Sequence, residues 1–388
     1  MNSPLSFDNT EIAFASKSNN DLNRAYLLFK VISYNWLVKI APPFVNTALA
    51  LRLPVKGLIR ATAFKHFCGG ENINDCKNTI ESLGSYNIGT ILDYSVEGKE
   101  TEEDFDHSLQ ETLSCIALAR KEKHIPFSVF KLTGFARMAL LEKVNENINL
   151  SPAETAEFER VKNRVEKICA FADECSVPVF IDAEETWIQR VVDDLANAMM
   201  QKYNRNRVLI YNTLQFYRTD RNAYLEQCYN HAVANNYMLG IKLVRGAYME
   251  KERARALKMN YPSPIQPDKA TADKDYDDAL RFCMDHIDRI SICAGTHNEK
   301  SSMLLVELMH QKNIPNNHAH IWFSQLYGMS DHISYNLAKS GYNVSKYVPY
   351  GPVASVLPYL IRRAQENTSV KGQTGRELSN ILAEKKRR

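Results

Sequence analysis

Short apolar runs alternate with helix-period stretches eight times along this chain, and that alternation limits what it can fold into. The runs are Thr90–Glu97, Phe127–Thr133, Val177–Glu185, Arg207–Phe216, Met238–Tyr248, Ile290–His297, Ile321–Tyr327 and Val344–Pro349. Helical patterns follow at 102–123, 135–175 in pieces, 185–203, 219–236, 250–288 with a break, 299–312, 331–340 and 355–367. Strands separated by helix-length crossovers pair in parallel. Eight such units predict an α/β protein with a (β/α)8 barrel. An open doubly wound sheet is the competing architecture, weakened because no G-x-G-x-x-G occurs in the sequence. Residues 1–87 read as a helical arm, broken at Phe67-Cys-Gly-Gly70, with a polar and mobile first 20 residues. Residues 88–370 read as the barrel, with its last helix over the mouth. Residues 371–388, ending Lys385-Lys-Arg-Arg388, read as a solvated basic tail.

In such a barrel the chemistry sits at the C-terminal ends of the strands. There the sequence supplies Asp93 and Glu97, Lys131, Asp182 with Glu184 and Glu185, and Gln215. Further on come Lys242, Arg245 and Tyr248, Thr296-His297-Asn298, Gln325 and Tyr347. One strand-end lysine is more often half of a structural ion pair. Eight strand ends that all carry polar or aromatic groups point to a ligand. The ring is mixed in sign, which suits a small zwitterion. Its amides and Gly246 suit a large polar cofactor. His318-Ala-His320 stands at the entrance of the seventh strand, on the stability face, and His297 has no second histidine partner, so no metal is expected. No G-x-S-x-G elbow occurs. A net charge of +3 gives no reason to expect nucleic acid. The eight cysteines form no C-x-x-C pair, which suits a reducing compartment. No secretory pattern opens the chain, and no apolar run approaches roughly 18 residues, so a cytoplasmic location is expected.

One late stretch carries its own chemistry. In Tyr359-Leu-Ile-Arg-Arg-Ala-Gln-Glu-Asn367, Tyr359, Arg362, Arg363 and Glu366 fall at i, i+3, i+4 and i+7, on one helical face. Two guanidinium forks and a phenol make a carboxylate clamp. The alternative is a solvated, charged helix face.

With Ile181-Asp-Ala-Glu-Glu185, Lys242-Leu-Val-Arg-Gly-Ala-Tyr248 and Gly295-Thr-His-Asn298, that stretch makes the chain resemble the proline dehydrogenase family, from about residue 88 to 370. The arm resembles that of monofunctional members. The resemblance implies non-covalent FAD at the strand ends and L-proline as substrate, oxidised to 1-pyrroline-5-carboxylate by hydride transfer. It implies a quinone as electron acceptor, peripheral contact with the inner membrane, and a separate pyrroline-5-carboxylate dehydrogenase downstream. By motif, Arg362 and Arg363 would hold the proline carboxylate, with Glu97 as gate partner of one of them. Tyr359, Tyr347 and Leu326 would pack on the ring. Lys131 and Asp182 would form a charged pair beside the substrate, and Tyr248 would wall the pocket. Gln215, Lys242, Val244, Arg245, Gly246, Thr296, His297, Asn298, Gln325 and Glu366 would meet FAD. Many members carry Arg where this chain has Lys242, and the usual Thr of the fifth helix is Ala272, with Thr271 one position off. A hydroxyproline dehydrogenase, a Schiff-base lyase using Lys131 or Lys242, and a non-catalytic amino-acid-binding barrel are the other readings. Hydroxyproline-oxidising relatives carry a small residue at the position of Tyr347.

Overall fold

The computed structural model describes residues 5–34, 36, 38, 55–96, 98, 100–369 and 373–388. Eight strands form one parallel sheet: β1 Ile88–Tyr94, β2 Ser128–Lys131, β3 Val179–Asp182, β4 Ile210–Gln215, β5 Leu239–Val244, β6 Ile290–Gly295, β7 Ile321–Leu326 and β8 Val344–Tyr350. Their order is β1-β8-β7-β6-β5-β4-β3-β2. From β2 to β8 sequence neighbours are sheet neighbours, and the first strand pairs with the last, Ile91 opposite Tyr347. That is the strand order of a (β/α)8 barrel. Every expected strand is present; β1 to β7 end short of the residues that close the expected runs, β1 starts two residues earlier, and β8 runs one residue further, to Tyr350. The third expected run, for instance, keeps only Val179–Asp182, because Pro178 lacks an N–H for the ladder and Glu184 and Glu185 turn into the next helix.

The chain divides into two compact units. Gly98–Ser324 holds β2 to β6 and most of β7. Its strands start on an aromatic plug: Phe127 stacks on Phe180 at 4.4 Å, Phe180 meets Tyr211 edge-on at 5.1 Å, and Trp322 abuts Phe127. Tyr211 closes it with a 2.7 Å hydrogen bond to Ser291. The flanking helices are capped in the sequence. Ser151 and Glu154 form a capping box with Pro152 at the first turn of Pro152–Cys175. Thr101 and Asp268 cap Glu102–Ala119 and Lys269–Asp285.

The second unit, Met1–Glu97 with Gln325–Arg388, holds β1, β8 and the end of β7. Phe14, Leu22, Phe29, Phe64, Phe67, Val356, Tyr359, Leu360 and Ile381 form its arm-side core. Two expectations fail here. The first 20 residues contain a capped helical turn, Thr10–Ala13, that buries Ala13 completely. The end of the chain is not a solvated tail. Gln373–Arg387 is a helix burying Glu377, Asn380, Ile381 and Glu384. Arg388 donates to the carbonyls of Phe14 and Lys17 at 3.0 and 2.8 Å. The basic run reads as solvated in sequence, yet its guanidiniums satisfy Glu384 and arm carbonyls. The arm contains the helix Asn19–Ile32, followed by Ser33.

Candidate active site

In the Gly98–Ser324 unit, strand register places Lys131 beside Asp182, and Thr213 beside Lys242. Lys242 donates to Asp182 Oδ1, and the Thr213 hydroxyl reaches the same oxygen at 3.3 Å. The Lys242 ammonium also lies 5.5 Å from the centre of the Phe180 ring. Lys242 and Asp182 are both buried. A buried ammonium and carboxylate hold each other charged, because either alone would bear a large desolvation cost. Asp182 thus meets Lys242 and Thr213, with Lys131 alongside in register.

Beyond the strand ends, Gln215 donates from Nε2 to the Glu184 carbonyl at 2.7 Å. Arg245 is spread over three partners: Asp273 at 2.6 Å, the Thr296 hydroxyl at 2.7 Å and the Ser301 hydroxyl at 2.9 Å. Its guanidinium stacks 4.4 Å from the Tyr276 ring centre. Gly246 has φ +131°, and a Cβ there would come within 2.3 Å of the Tyr217 ring. Only glycine fits that position. Tyr248 is buried and caps Met249–Met259. Asn298 Oδ1 caps Glu299–Gln311, accepting from Lys300 N at 2.9 Å and Ser301 N at 3.3 Å. Thr296 and His297 precede it on the same β6 exit. Val244 ends β5, and its carbonyl accepts from Phe216 N at 2.8 Å. The Thr271 hydroxyl donates to the capping Asp268 at 2.9 Å, so it serves the helix start, and Ala272 is buried against Tyr217 and Ile265.

In the other unit, Arg363 stacks on Tyr359, 5.0 Å from ring centre, and both are buried. The expected i, i+4 face therefore exists on the helix Leu357–Ser369 and is not solvated surface. Arg362 is half-buried beside it. Leu326 packs on the cluster that contains Tyr359. Gln325 accepts from the Ser334 hydroxyl at 2.8 Å. Tyr347 is buried on β8. Glu97 and the side chain of Glu366 lie outside the described residues.

One group escaped the sequence reading of the site, and so did the setting of another. Thr213 sits two residues before Gln215 on β4, hence on the same face, and that i, i+2 spacing could have found it. Glu184 was visible only as one of several strand-end acids. It is almost fully buried, and its carboxylate accepts from both the N–H and the hydroxyl of Thr133. Burial, opposed by those hydrogen bonds, pushes its carboxyl up to about 7. Among the described residues no group of three or more His, Cys, Asp or Glu could hold a metal.

A parallel eight-strand βα sheet with charged and polar groups at its carboxyl strand ends defines a (β/α)8-barrel enzyme. A proline dehydrogenase family model matches residues 76–376. "Proline dehydrogenase 1, mitochondrial" of Dictyostelium discoideum is 32% identical over 433 residues, covering 100% of this chain and 76% of that protein. "Carbapenem antibiotics biosynthesis protein CarD" of Pectobacterium carotovorum subsp. carotovorum is 35% identical over 301 residues, 78% of each chain. The solved proline utilization A (PutA) of Bdellovibrio bacteriovorus superposes with a TM-score of 0.72 at 18% identity, covering 95% of this chain and 37% of that one. This chain thus spans about a third of the solved PutA chain's length. It belongs to the proline dehydrogenase family, and it is an oxidoreductase of that class.

Proposed function

We propose that this enzyme oxidises L-proline to 1-pyrroline-5-carboxylate with FAD as the immediate electron acceptor. The observation that carries the reading is the buried Lys242–Asp182 pair with Lys131 in register beside it. The strand-end residues fit a large flavin. Gly295 lets β6 lie close to β5, since a Cβ there would lie 3.0 Å from Val244 Cγ1. Arg245, Thr296 and Gln215 supply donors there, and Lys242 places a cation beside them. When bound, FAD supplies a two-electron acceptor for the hydride.

Oxidation removes a hydride from the ring carbon next to nitrogen and a proton from nitrogen, leaving a C=N bond. The amine must therefore be neutral. The ammoniums of Lys131 and Lys242 stand close to the substrate amine and disfavour a further cation there, which favours the free amine. Arg362 and Arg363 bind the carboxylate, and Tyr347, Tyr359 and Leu326 pack on the apolar ring and exclude water. Orientation by these groups is the chain's main contribution to rate.

Electrons then pass to a quinone, and the arm is the membrane-facing element. Leu27, Val31 and Leu58 are exposed and border one cavity of 520 Å³, and Trp36 is exposed on the same arm. Lys30, Lys56 and Arg60 are exposed among them, a pattern that suits anionic lipid. Among the described residues no helix is long and apolar enough to cross a membrane. The test is the visible spectrum before and after anaerobic proline. A flavin band that bleaches without NAD supports the reading. A colourless protein, or one that needs NAD, overturns it.

A further inference from the structure

Glu184 lies two residues past Asp182, and Thr133 lies two residues past Lys131. The register pair Lys131–Asp182 is thus repeated beyond the strands as Thr133–Glu184. Glu184 Oε1 accepts from Thr133 N at 3.0 Å, and Oε2 takes the Thr133 hydroxyl. Its own backbone is fixed on two sides. Its N–H donates to Gln189 Oε1 at 2.8 Å, and its carbonyl accepts from Gln215 at 2.7 Å. Gln189 is in turn held by Asp193 at 2.9 Å, and Asp193 pairs with Arg221 at 2.8 Å. One residue therefore ties the exits of β2, β3 and β4 together.

The ionisable groups that face this carboxyl are Lys131 from β2 and Glu185 beside it. Its other contacts, Thr133, Gln189 and Gln215, are neutral. With Glu184 ionised, Lys131 and Lys242 balance Asp182 and Glu184. With Glu184 protonated, Lys131 loses the anion that faces it from beyond the strand end.

We propose that Glu184 is a positioning residue for Lys131: it fixes the end of β2 and supplies the anion that balances the lysine, so that proline oxidation reaches full rate only when Glu184 is ionised. This rests on the proline-oxidation reading above. Burial brings the ionisation of Glu184 to about 7, within the working range of an enzyme.

Glu184→Gln isolates the charge, because an amide can still accept from Thr133 N–H and donate to its hydroxyl. Thr133→Val leaves the charge and removes one hydrogen bond that favours it. The experiment is single-turnover flavin reduction by saturating L-proline in the holoenzyme, from about pH 6 to about pH 9. The parent enzyme should show a limb near the Glu184 ionisation. Glu184→Gln should lose that limb and reduce about tenfold more slowly at about pH 8, with KM changed less than about twofold. Thr133→Val should keep the limb and move it to higher pH. A Glu184→Gln enzyme that retains the parental limb overturns the proposal, as does a Thr133→Val enzyme whose limb does not move. Should Glu184→Gln fail to fold, the Thr133→Val shift decides alone. If the parent enzyme is not bleached by proline, the functional reading has failed instead.

Discussion

Lys242 on β5 donates to Asp182 on β3 across the intervening strand β4, whose Thr213 hydroxyl meets the same carboxylate oxygen at 3.3 Å. Three strands thus share one buried charge contact. Breaking a buried pair from one side leaves an uncompensated charge and costs about 3–5 kcal/mol. Lys242→Met should therefore destabilise the fold by about that much, while Lys242→Met with Asp182→Asn should recover more than half of the loss. Denaturant unfolding measures both. If Lys242→Met costs less than about 1 kcal/mol, the pair is solvated and the electrostatic account of amine deprotonation loses its basis.

The clamp gives a second expectation. Arg363 lies buried on the Tyr359 ring, with Arg362 half-buried next to it. Removing one charge-assisted contact to a buried carboxylate costs about 2–5 kcal/mol. Arg362→Met or Arg363→Met should raise KM for proline accordingly and leave the flavin band intact on gel filtration. Unchanged KM in both variants would assign this face to packing alone.

Much of this was legible because strands and helices differ in period. Alternation from residue 88 onward gives eight βα units, and their polar exits give the candidate site residues. The partners of those residues were not legible. Lys131 and Asp182 are neighbours in register, yet Asp182 also reaches Lys242, two strands away, and side-chain reach across a twisted sheet leaves no trace in spacing. The C-terminal run Lys385–Arg388 was legible in part. Its four residues are exposed, as their charge predicts, but the helix that carries them is not read from charge, nor is the tie of Arg388 to the carbonyls of Phe14 and Lys17. Thr271 is a third case, since only the cap at Asp268 shows that its hydroxyl is engaged.

Stability should depend on pH through Glu184. Its folded value of about 7 lies above the 4.5 of an exposed glutamate, with burial the main cause. A carboxyl raised on folding contributes stability that is fully present below about 4.5 and is lost as pH rises through about 7. Glu184→Gln, which cannot ionise, should therefore gain on the parent as pH rises across that window. The gain should approach about 3 kcal/mol above it. Chemical denaturation at acid and at mildly alkaline pH tests this. A stability difference between the two proteins that does not change with pH would mean Glu184 is ionised throughout.

The arm is testable with lipid. Leu27, Val31, Trp36 and Leu58 are exposed apolar groups among basic ones. Sedimentation with vesicles of anionic phospholipid should carry the protein down, and added salt should weaken the binding through the lysines and arginines. Replacing Leu27 and Trp36 by Ser should reduce the bound fraction several-fold without changing proline-driven flavin reduction. Equal binding by the double variant would exclude this face as the contact.

Choice of substrate rests on Tyr347. On β8 the neighbouring Lys346 is fully buried against the helix Asp331–Lys339, donating to Asp331 at 2.7 Å and to the Met329 carbonyl at 2.5 Å. Burial opposes ionisation of Asp331, but the ammoniums of Lys346 and Lys17 hold its carboxyl below the usual carboxylate range. Side chains alternate along a strand, so Lys346 on the helix-facing side puts Tyr347 on the interior side. Its backbone is anchored there, its carbonyl accepting from Tyr327 N at 2.8 Å. On the proline-oxidation reading, a phenol in that position would pack on the apolar edge of proline. A hydroxyl on the ring would meet it without a partner, at a cost of about 1–3 kcal/mol, roughly ten- to 150-fold in discrimination. Tyr347→Ser opens that space and offers a small polar group. Its kcat/KM for proline should fall, and its ratio of hydroxyproline to proline turnover should rise by at least about tenfold. The two substrates are compared by the rate of anaerobic flavin bleaching in the parent and in Tyr347→Ser. A ratio that stays where it was would mean that the phenol packs beside the ring without sensing its substituents, and that another residue rejects the hydroxyl.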